Sequence, residues 1–343
     1  MIKLFLIDDS MAIRNSIKKI LSKYDDLTII GEASNPVDAF KEFKKVGLPD
    51  IFILDIEMPH MTGIEFLKLM KEQKPVPTII CSGAAKFGSK NAIEALELGA
   101  CDIIVKDSFD LKTTTQISDE FITKIRAAAC SKVIDFNISK NTKKLKPFKS
   151  TNKIIAIGSS TGGVQTIEKI LLELRPNHPP IVITQHMPKG FTASFANRLN
   201  EICENSYIKE ANNNDPLLPG QVLIAPGDLH LEVKNIKENR YIALLKDFPK
   251  VSNHKPSVDV LFSSLSKEVK GNGIAFILTG MGKDGALGIK KIKDQGGKTY
   301  GQNEESSIVY GMPKVAFEIG AIQKQISIDE VAEIINNIEF EGR

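Results

Sequence analysis

An α/β architecture of two doubly wound parallel-sheet domains joined by a lysine-rich linker is the fold class this sequence predicts, and three observations carry that prediction. Short apolar runs rich in branched residues recur at residues 2–7, 51–54, 76–81 and 103–105, and again at 154–157, 181–184 and 274–278. Runs of this kind suit strands buried on both faces, as a parallel sheet between helices requires. The run at 154–157 passes through Gly158-Ser159-Ser160-Thr161-Gly162-Gly163 into Val164, Ile167, Ile170, Leu171 and Leu174 at helical spacing, which is strand, glycine turn and helix in order. Finally, the net charge of +3 is confined to the middle of the 343-residue chain.

That charge sets the domain division. Residues 1–126 hold 17 Lys/Arg and 19 Asp/Glu, residues 127–152 hold 6 and 1, and residues 153–343 hold 22 and 22. The segment 139–153, SKNTKKLKPFKSTNK, has six lysines, one proline and no acid, the composition of a solvated linker. Domains of about 100–200 residues each fit the remainder. The expected division is therefore 1–126, a linker over 127–150, and 151–343.

Composition also excludes classes of function. Cys81, Cys101, Cys130 and Cys203 are scattered without a CxxC pair, as expected of reduced thiols in a cytoplasmic protein. The opening MIKLFLIDDS is too short an apolar run for a signal peptide, and no stretch approaches the length that inserts into a membrane. A basic, aromatic nucleic-acid face is absent from the sequence, and so is a helix-turn-helix signal.

In the first half the run at 2–7 ends at Asp8 and Asp9, and the run at 51–54 ends at Asp55. Ligands of open α/β sheets bind beyond the carboxyl ends of the strands, so the three acids should converge. An oxygen-only cluster of that charge suits Mg²⁺. The next two runs end at Ser82 and Lys106, a hydroxyl and an ammonium able to hold oxygens of a phosphoryl group carried by Asp55.

With these residues in place, residues 1–126 resemble a response-regulator receiver domain, the CheY-like fold. The resemblance implies Mg²⁺ held by Asp8, Asp9, Asp55 and the backbone carbonyl of Glu57. It also implies phosphorylation of Asp55, with Ser82 and Lys106 as the switch pair. Two positions depart from the receiver pattern: Asp107 replaces the usual proline after the lysine, and Ile103 replaces the usual aromatic.

In the second half the glycine turn misses the GxGxxG dinucleotide pattern, with Ser160 at its second glycine and no acid at the end of the next strand. It does fit GxSxG as Gly158-x-Ser160-x-Gly162, a turn that exposes a nucleophilic hydroxyl at a helix start, with Ser159 as the neighbouring competitor. His186 closes the run at 181–184 on the same edge and is the expected base, with His230 in reserve; His178 falls on the opposite edge. Asp284, after the run at 274–278, is the expected orienting acid, or alternatively the N-cap of a helix from Ala286. Asp215 and Asp228 are weaker candidates in loops, and His230 and His254 also fall in loop-like segments.

The segments AIGSSTGG, ITQHMPKGFTASFANRLN, LPGQVLIAPGDLH, KPSVDVLF, ILTGMGKDGALG and QNEESSIVYGMP together resemble the CheB family of chemotaxis protein-glutamate methylesterases and glutaminases. The resemblance implies a phosphorylation-regulated serine hydrolase. Ser160 would be its nucleophile, His186 the base, Asp284 the partner, and backbone amides near Thr161 and Met281 the oxyanion donors. It implies no cofactor in this domain, methyl-accepting chemotaxis receptors as substrates through their cytoplasmic region, and a chemotaxis histidine kinase as phosphodonor. A non-catalytic signalling adaptor that binds receptors is the alternative.

Overall fold

A computed structural model describes residues 1–83, 86–106, 115–131, 151–237 and 239–338. Asp107 and most of the expected linker lie outside these residues. The chain divides into two units, 1–135 and 136–343.

The first unit alternates strand and helix five times: β1 (Ile2–Ile7), α1 (Met11–Leu21), β2 (Leu27–Ala33), α2 (Pro36–Val46), β3 (Ile51–Asp55), α3 (Gly63–Gln73), β4 (Thr78–Ser82), α4 (Lys86–Glu97), β5 (Asp102–Val105) and α5 (Thr115–Ala129). Its five strands pair in parallel in the order β2-β1-β3-β4-β5. Leu4, Leu6, Ile51, Ile53, Ile79 and Ile104 pack from the sheet against Ile17, Phe121 and Ile125 of the helices. Phe5, Phe43, Phe52 and Phe66 pack together, edge-on or tilted. Side chains start several helices: Ser10 accepts from the Ile13 amide, Asn35 from Asp38, and Thr62 with Glu65 forms a capping box. Helix α5 runs three residues past the expected limit at 126. The order reverses between β1 and β3, so the crevice of this sheet opens beside Asp8, Asp9 and Asp55.

The second unit contains β6 (Ile154–Ser159), α6 (Gly163–Leu172), β7 (Ile181–Gln185), α7 (Phe191–Ile202), β8 (Tyr207–Glu210), β9 (Gln221–Ile224), β10 (His230–Lys237) and β11 (Arg240–Lys246). It continues through α8 (Val258–Val269), β12 (Gly273–Ile277), α9 (Ala286–Asp294), β13 (Lys298–Gln302), α10 (Met312–Glu318), β14 (Lys324–Ile326) and α11 (Ile328–Asn336). Seven strands form a parallel sheet in the order β14-β13-β12-β6-β7-β9-β8. Every residue of β6, β7, β9 and β12 is buried, as expected where helices cover both faces. Helix α6 buries Val164, Ile167, Ile170 and Leu171, each contributing about 1.5–3 kcal/mol.

The antiparallel hairpin β10–β11 is an addition to the expected parallel sheets. It makes His230 a strand residue instead of a loop residue. Leu231 and Val233 turn inward while Glu232 and Lys234 turn out, the alternation of a sheet with one face on the core. The order of the large sheet reverses between β6 and β12, so the ends of β12, β6 and β7 stand side by side.

Candidate functional site

Three adjacent strand ends hold the residues singled out for chemistry in the second unit: Ser160 follows β6, His186 follows β7, and Asp284 lies on the loop after β12. Ser160 is half-buried, while Ser159 is fully buried inside its strand. The Ser159 hydroxyl donates to Gln185 Oε1 at 2.6 Å. Gln185 Nε2 in turn donates to the carbonyls of Ser160 (2.9 Å) and His186 (3.2 Å), so one amide side chain ties the two backbones together. The His186 amide adds a bond to Ser159 O at 3.1 Å. Ser159 is thus a strut, and Ser160 is the hydroxyl presented at the turn.

The turn needs its glycines. Gly162 has φ +79° at the start of α6. Gly280 lets the β12 loop close on the nucleophile candidate, since a Cβ there would stand 2.7 Å from Ser160 Cβ. Thr279 links the same loops: its hydroxyl donates to the Thr161 carbonyl at 3.0 Å, and its carbonyl accepts the Ser160 amide at 3.0 Å. Thr161 is buried on one side of this junction and Met281 is half-buried on the other. Both residues expected to offer oxyanion donors are therefore in loops that flank Ser160.

His186 Nε2 lies 2.8 Å from Asp284 Oδ2, and its Nδ1, also buried, makes no hydrogen bond. A proton on Nε2 leaves the Nδ1 lone pair as the basic atom. Asp284 is almost fully buried, and its two oxygens accept four bonds. The Val258 amide donates to Oδ2 at 2.7 Å, alongside His186; the Ser257 hydroxyl (2.8 Å) and the Asp259 amide (3.1 Å) donate to Oδ1. Burial alone would raise its pKa. The His186 bond, followed by those from Ser257 and Val258, outweighs burial and holds the carboxyl below its ordinary value.

The sequence left open that Asp284 caps the helix after it. Gly285 occupies that position at the start of α9, and Asp284 instead caps α8 from outside. Ser257 correspondingly makes no side-chain bond to its own helix. Ser257 escaped the sequence reading because a serine before a helical run signals a local cap. Gln185 was detectable in principle: a glutamine closing an apolar buried strand demands partners.

Two other histidines, His230 and His178, are spent elsewhere. His230, the reserve base, is fully buried behind the carboxylate: its Nδ1 accepts the Ser257 amide at 3.2 Å and its Nε2 faces Pro249 O at 3.2 Å. Burial lowers its pKa, which suits a neutral ring. His178 lies between Pro179 O (2.8 Å) and Ser206 Oγ (2.9 Å). Asp215 pairs with Lys209 at 2.8 Å, and Asp228 occupies a turn with φ +67°.

In the first unit, ligand oxygens of Asp8, Asp9 and Asp55 come within 4.8 Å of one another. Lys106 reaches across β4 to Asp55 Oδ2 (2.6 Å) and Asp8 Oδ2 (3.1 Å). Asp55 Oδ1 accepts the amides of Ile56 (2.8 Å) and Glu57 (3.4 Å). Ser82, buried at the end of β4, has its hydroxyl 3.4 Å from the Gly83 carbonyl. Burial pushes the Asp55 carboxyl up to about 6, against Lys106 and with the help of Asp8. It raises Asp8 as well. Three carboxylates facing one ammonium, two of them raised despite it, form a pocket short of positive charge, and an oxygen-only donor set fits a hard divalent cation.

No described helix is long and apolar enough to cross a membrane. The CheB methylesterase family model matches residues 155–335, and the response regulator receiver domain model matches residues 4–117. A protein-glutamate methylesterase/protein-glutamine glutaminase of Leptospira interrogans is 42% identical, covering 99% of this chain and all of that protein. One from Syntrophus aciditrophicus is 40% identical, covering 97% and 98%. The crystal structure of the Thermotoga maritima CheB methylesterase catalytic domain matches with a TM-score of 0.53 at 38% identity, covering 55% of this chain and all of that one. With both family models in their expected halves and relatives matched from end to end, the chain belongs to the CheB methylesterase family and carries a response-regulator receiver domain at its N-terminus.

Proposed function

We propose that this chain hydrolyses glutamyl methyl esters and deamidates glutamines on the cytoplasmic region of chemotaxis receptors, under control of phosphorylation on its receiver domain. The division is receiver over 1–126, linker over 127–150 and hydrolase over 151–343, working in the cytoplasm. The observation that carries the reading is the His186 ring, bonded through Nε2 to a four-fold satisfied Asp284 while its buried Nδ1 makes no hydrogen bond, at a strand end that pairs with the one before Ser160. The names of its relatives support the substrate class.

Ser160 Oγ adds to the acyl carbon while its proton passes to His186 Nδ1. Asp284, held as a carboxylate, stabilises the imidazolium. Backbone amides of Thr161 and Met281 are the groups we assign to the oxyanion. Collapse breaks the C–O or C–N bond, and His186 returns the proton to methanol or ammonia. Water then adds to the acyl-serine with His186 again as base, which frees Ser160 and leaves a glutamate.

In the receiver, Asp55 is the phosphoacceptor, with a chemotaxis histidine kinase as the donor. Asp8, Asp9, Asp55 and the Glu57 carbonyl would hold Mg²⁺, which when bound offsets the negative charge that a phosphodonor meets. Lys106 and Ser82 are placed to hold phosphoryl oxygens. Methanol release from methylated receptor fragments tests the reading: Ser160→Ala should abolish it while Asp55 still accepts phosphate. Persistent release would move the nucleophile elsewhere, and binding without any release by the wild type would favour a receptor-binding adaptor. Equal rates with and without a phosphodonor would remove the regulatory part.

A further inference from the structure

The His186 imidazole is covered on one face by a second imidazole, His254, with ring centroids 3.7 Å apart and planes within 8°. His254 closes a tight turn. Its amide and carbonyl pair with Val251 at 2.9 and 3.1 Å, and the two residues between them, Ser252 and Asn253, have φ of +51° and +68°. Positive φ at both central positions is the geometry of a type I′ turn, in which little freedom remains.

The turn is fastened to the frame that holds Asp284. Ser252 Oγ donates to Asp259 Oδ2 at 3.1 Å, and Asp259 Oδ1 accepts the Gly288 amide at 2.7 Å. The Asp259 amide itself donates to Asp284. One helix start therefore locates both rings: His186 through the carboxylate it caps with, and His254 through the turn it anchors.

From this stack we infer that His254 is a positioning residue for the reaction, an inference that rests on the proposed hydrolysis by Ser160 and His186. A single hydrogen bond from Nε2 leaves the ring free to tilt about the bond axis, which swings Nδ1 away from Ser160. A parallel ring at van der Waals distance removes that tilt and shields one face of the base from water. The feature required is a flat ring at this position, and proton transfer to His254 plays no part.

The test compares the full chain with His254→Ala and His254→Phe. It measures kcat and KM for methanol release from a methylated receptor fragment, the rate of Ser160 modification by an organophosphonate ester, and the downfield NMR resonance of the His186 Nε2 proton. His254→Ala should lower kcat and the modification rate about 10- to 100-fold, the scale on which small misplacement acts, with KM within about twofold and the proton resonance broadened. His254→Phe should restore most of both rates and the resonance. If the alanine variant fails to fold, His254→Gln, polar but ringless, should reproduce the kcat loss. An alanine or glutamine variant with wild-type kcat, or a phenylalanine variant as impaired as alanine, would overturn the inference. A wild-type chain that releases no methanol would instead overturn the proposed function.

Discussion

The two units place a buried aspartate at the end of a central strand or on the loop after one, yet the electrostatics of Asp55 and Asp284 are opposite. Asp55 shares its pocket with Asp8 and Asp9 against Lys106, and burial pushes its carboxyl up to about 6. Asp284 is as deeply buried, but four donors meet its two oxygens and hold it below the ordinary range. Burial is common to both and cannot decide the outcome; the count of donors does. A carboxylate left short of donors is ready for a ligand to complete it. One that is fully supplied is fixed as a carboxylate and holds the groups that donate to it. The same fold thus produces a site that waits and a site that is already assembled.

The largest test of this contrast is Asp284→Asn. An amide offers one accepting oxygen where the carboxylate offers two, so one pair of donors, either His186 with Val258 or Ser257 with Asp259, would face an NH₂ group. We expect kcat to fall about 10⁴-fold and the second unit to lose about 3–5 kcal/mol. The pH response has a definite sign. A carboxyl with a depressed folded pKa contributes stability above its unfolded value of 3.8 and loses it as pH falls through the folded value. Calorimetric unfolding of the wild type should therefore weaken below about pH 4 in the hydrolase transition, and the variant should lose this dependence.

Asp55 should behave in the reverse sense. A raised carboxyl favours the folded state below the unfolded value of 3.8 and gives that contribution up as pH rises through about 6. Asp55→Asn should therefore stabilise the receiver transition by about 1–2 kcal/mol near pH 7.5 and leave it unchanged near pH 4. Relief of the buried carboxylate alone would be worth more, but Lys106 loses a partner. Added Mg²⁺ should raise the same transition near pH 7.5, do little near pH 5, and leave the hydrolase transition alone. A Mg²⁺ effect that survived at pH 5 would detach the cation from these acids.

Ser257→Ala should have a smaller effect because it removes one of the four donors without reversing any. We expect about 1–2 kcal/mol of stability lost and about a tenfold drop in kcat, with Asp284 titrating higher. If thermal unfolding and kcat both match the wild type, the amides of Val258 and Asp259 suffice on their own.

How much of this was legible in the sequence differs between the strand ends and their surroundings. Asp8, Asp55, Ser160, His186 and Asp284 were readable because each follows or closes a buried apolar run, and parallel strands end on one side. Which runs become neighbours was not readable. The order β7-β9-β8 inverts the chain order, and no local pattern encodes that. The hairpin was half-legible: Leu231 and Val233 alternate with Glu232 and Lys234, but the preceding Pro226-Gly227-Asp228 read as a loop that swallowed His230. The shell around Asp284 and the stack of His254 on His186 depend on contacts between residues 25 to 98 apart, and spacing alone carries no trace of them.

The smallest expected effect separates the adjacent hydroxyls of Ser159 and Ser160. Ser159 donates to Gln185, whose amide holds the Ser160 and His186 carbonyls, so Ser159→Ala removes one buried bond from a frame with other supports. Its cost should be about 1 kcal/mol, the net worth of a single hydrogen bond, with kcat within about threefold of wild type. Ser160→Ala should do the opposite and abolish turnover with little change in unfolding temperature. A Ser159→Ala variant that loses turnover outright would reverse the roles of strut and nucleophile, and the contrast between the waiting pocket and the assembled one would then have to be drawn around Gln185 instead of His186.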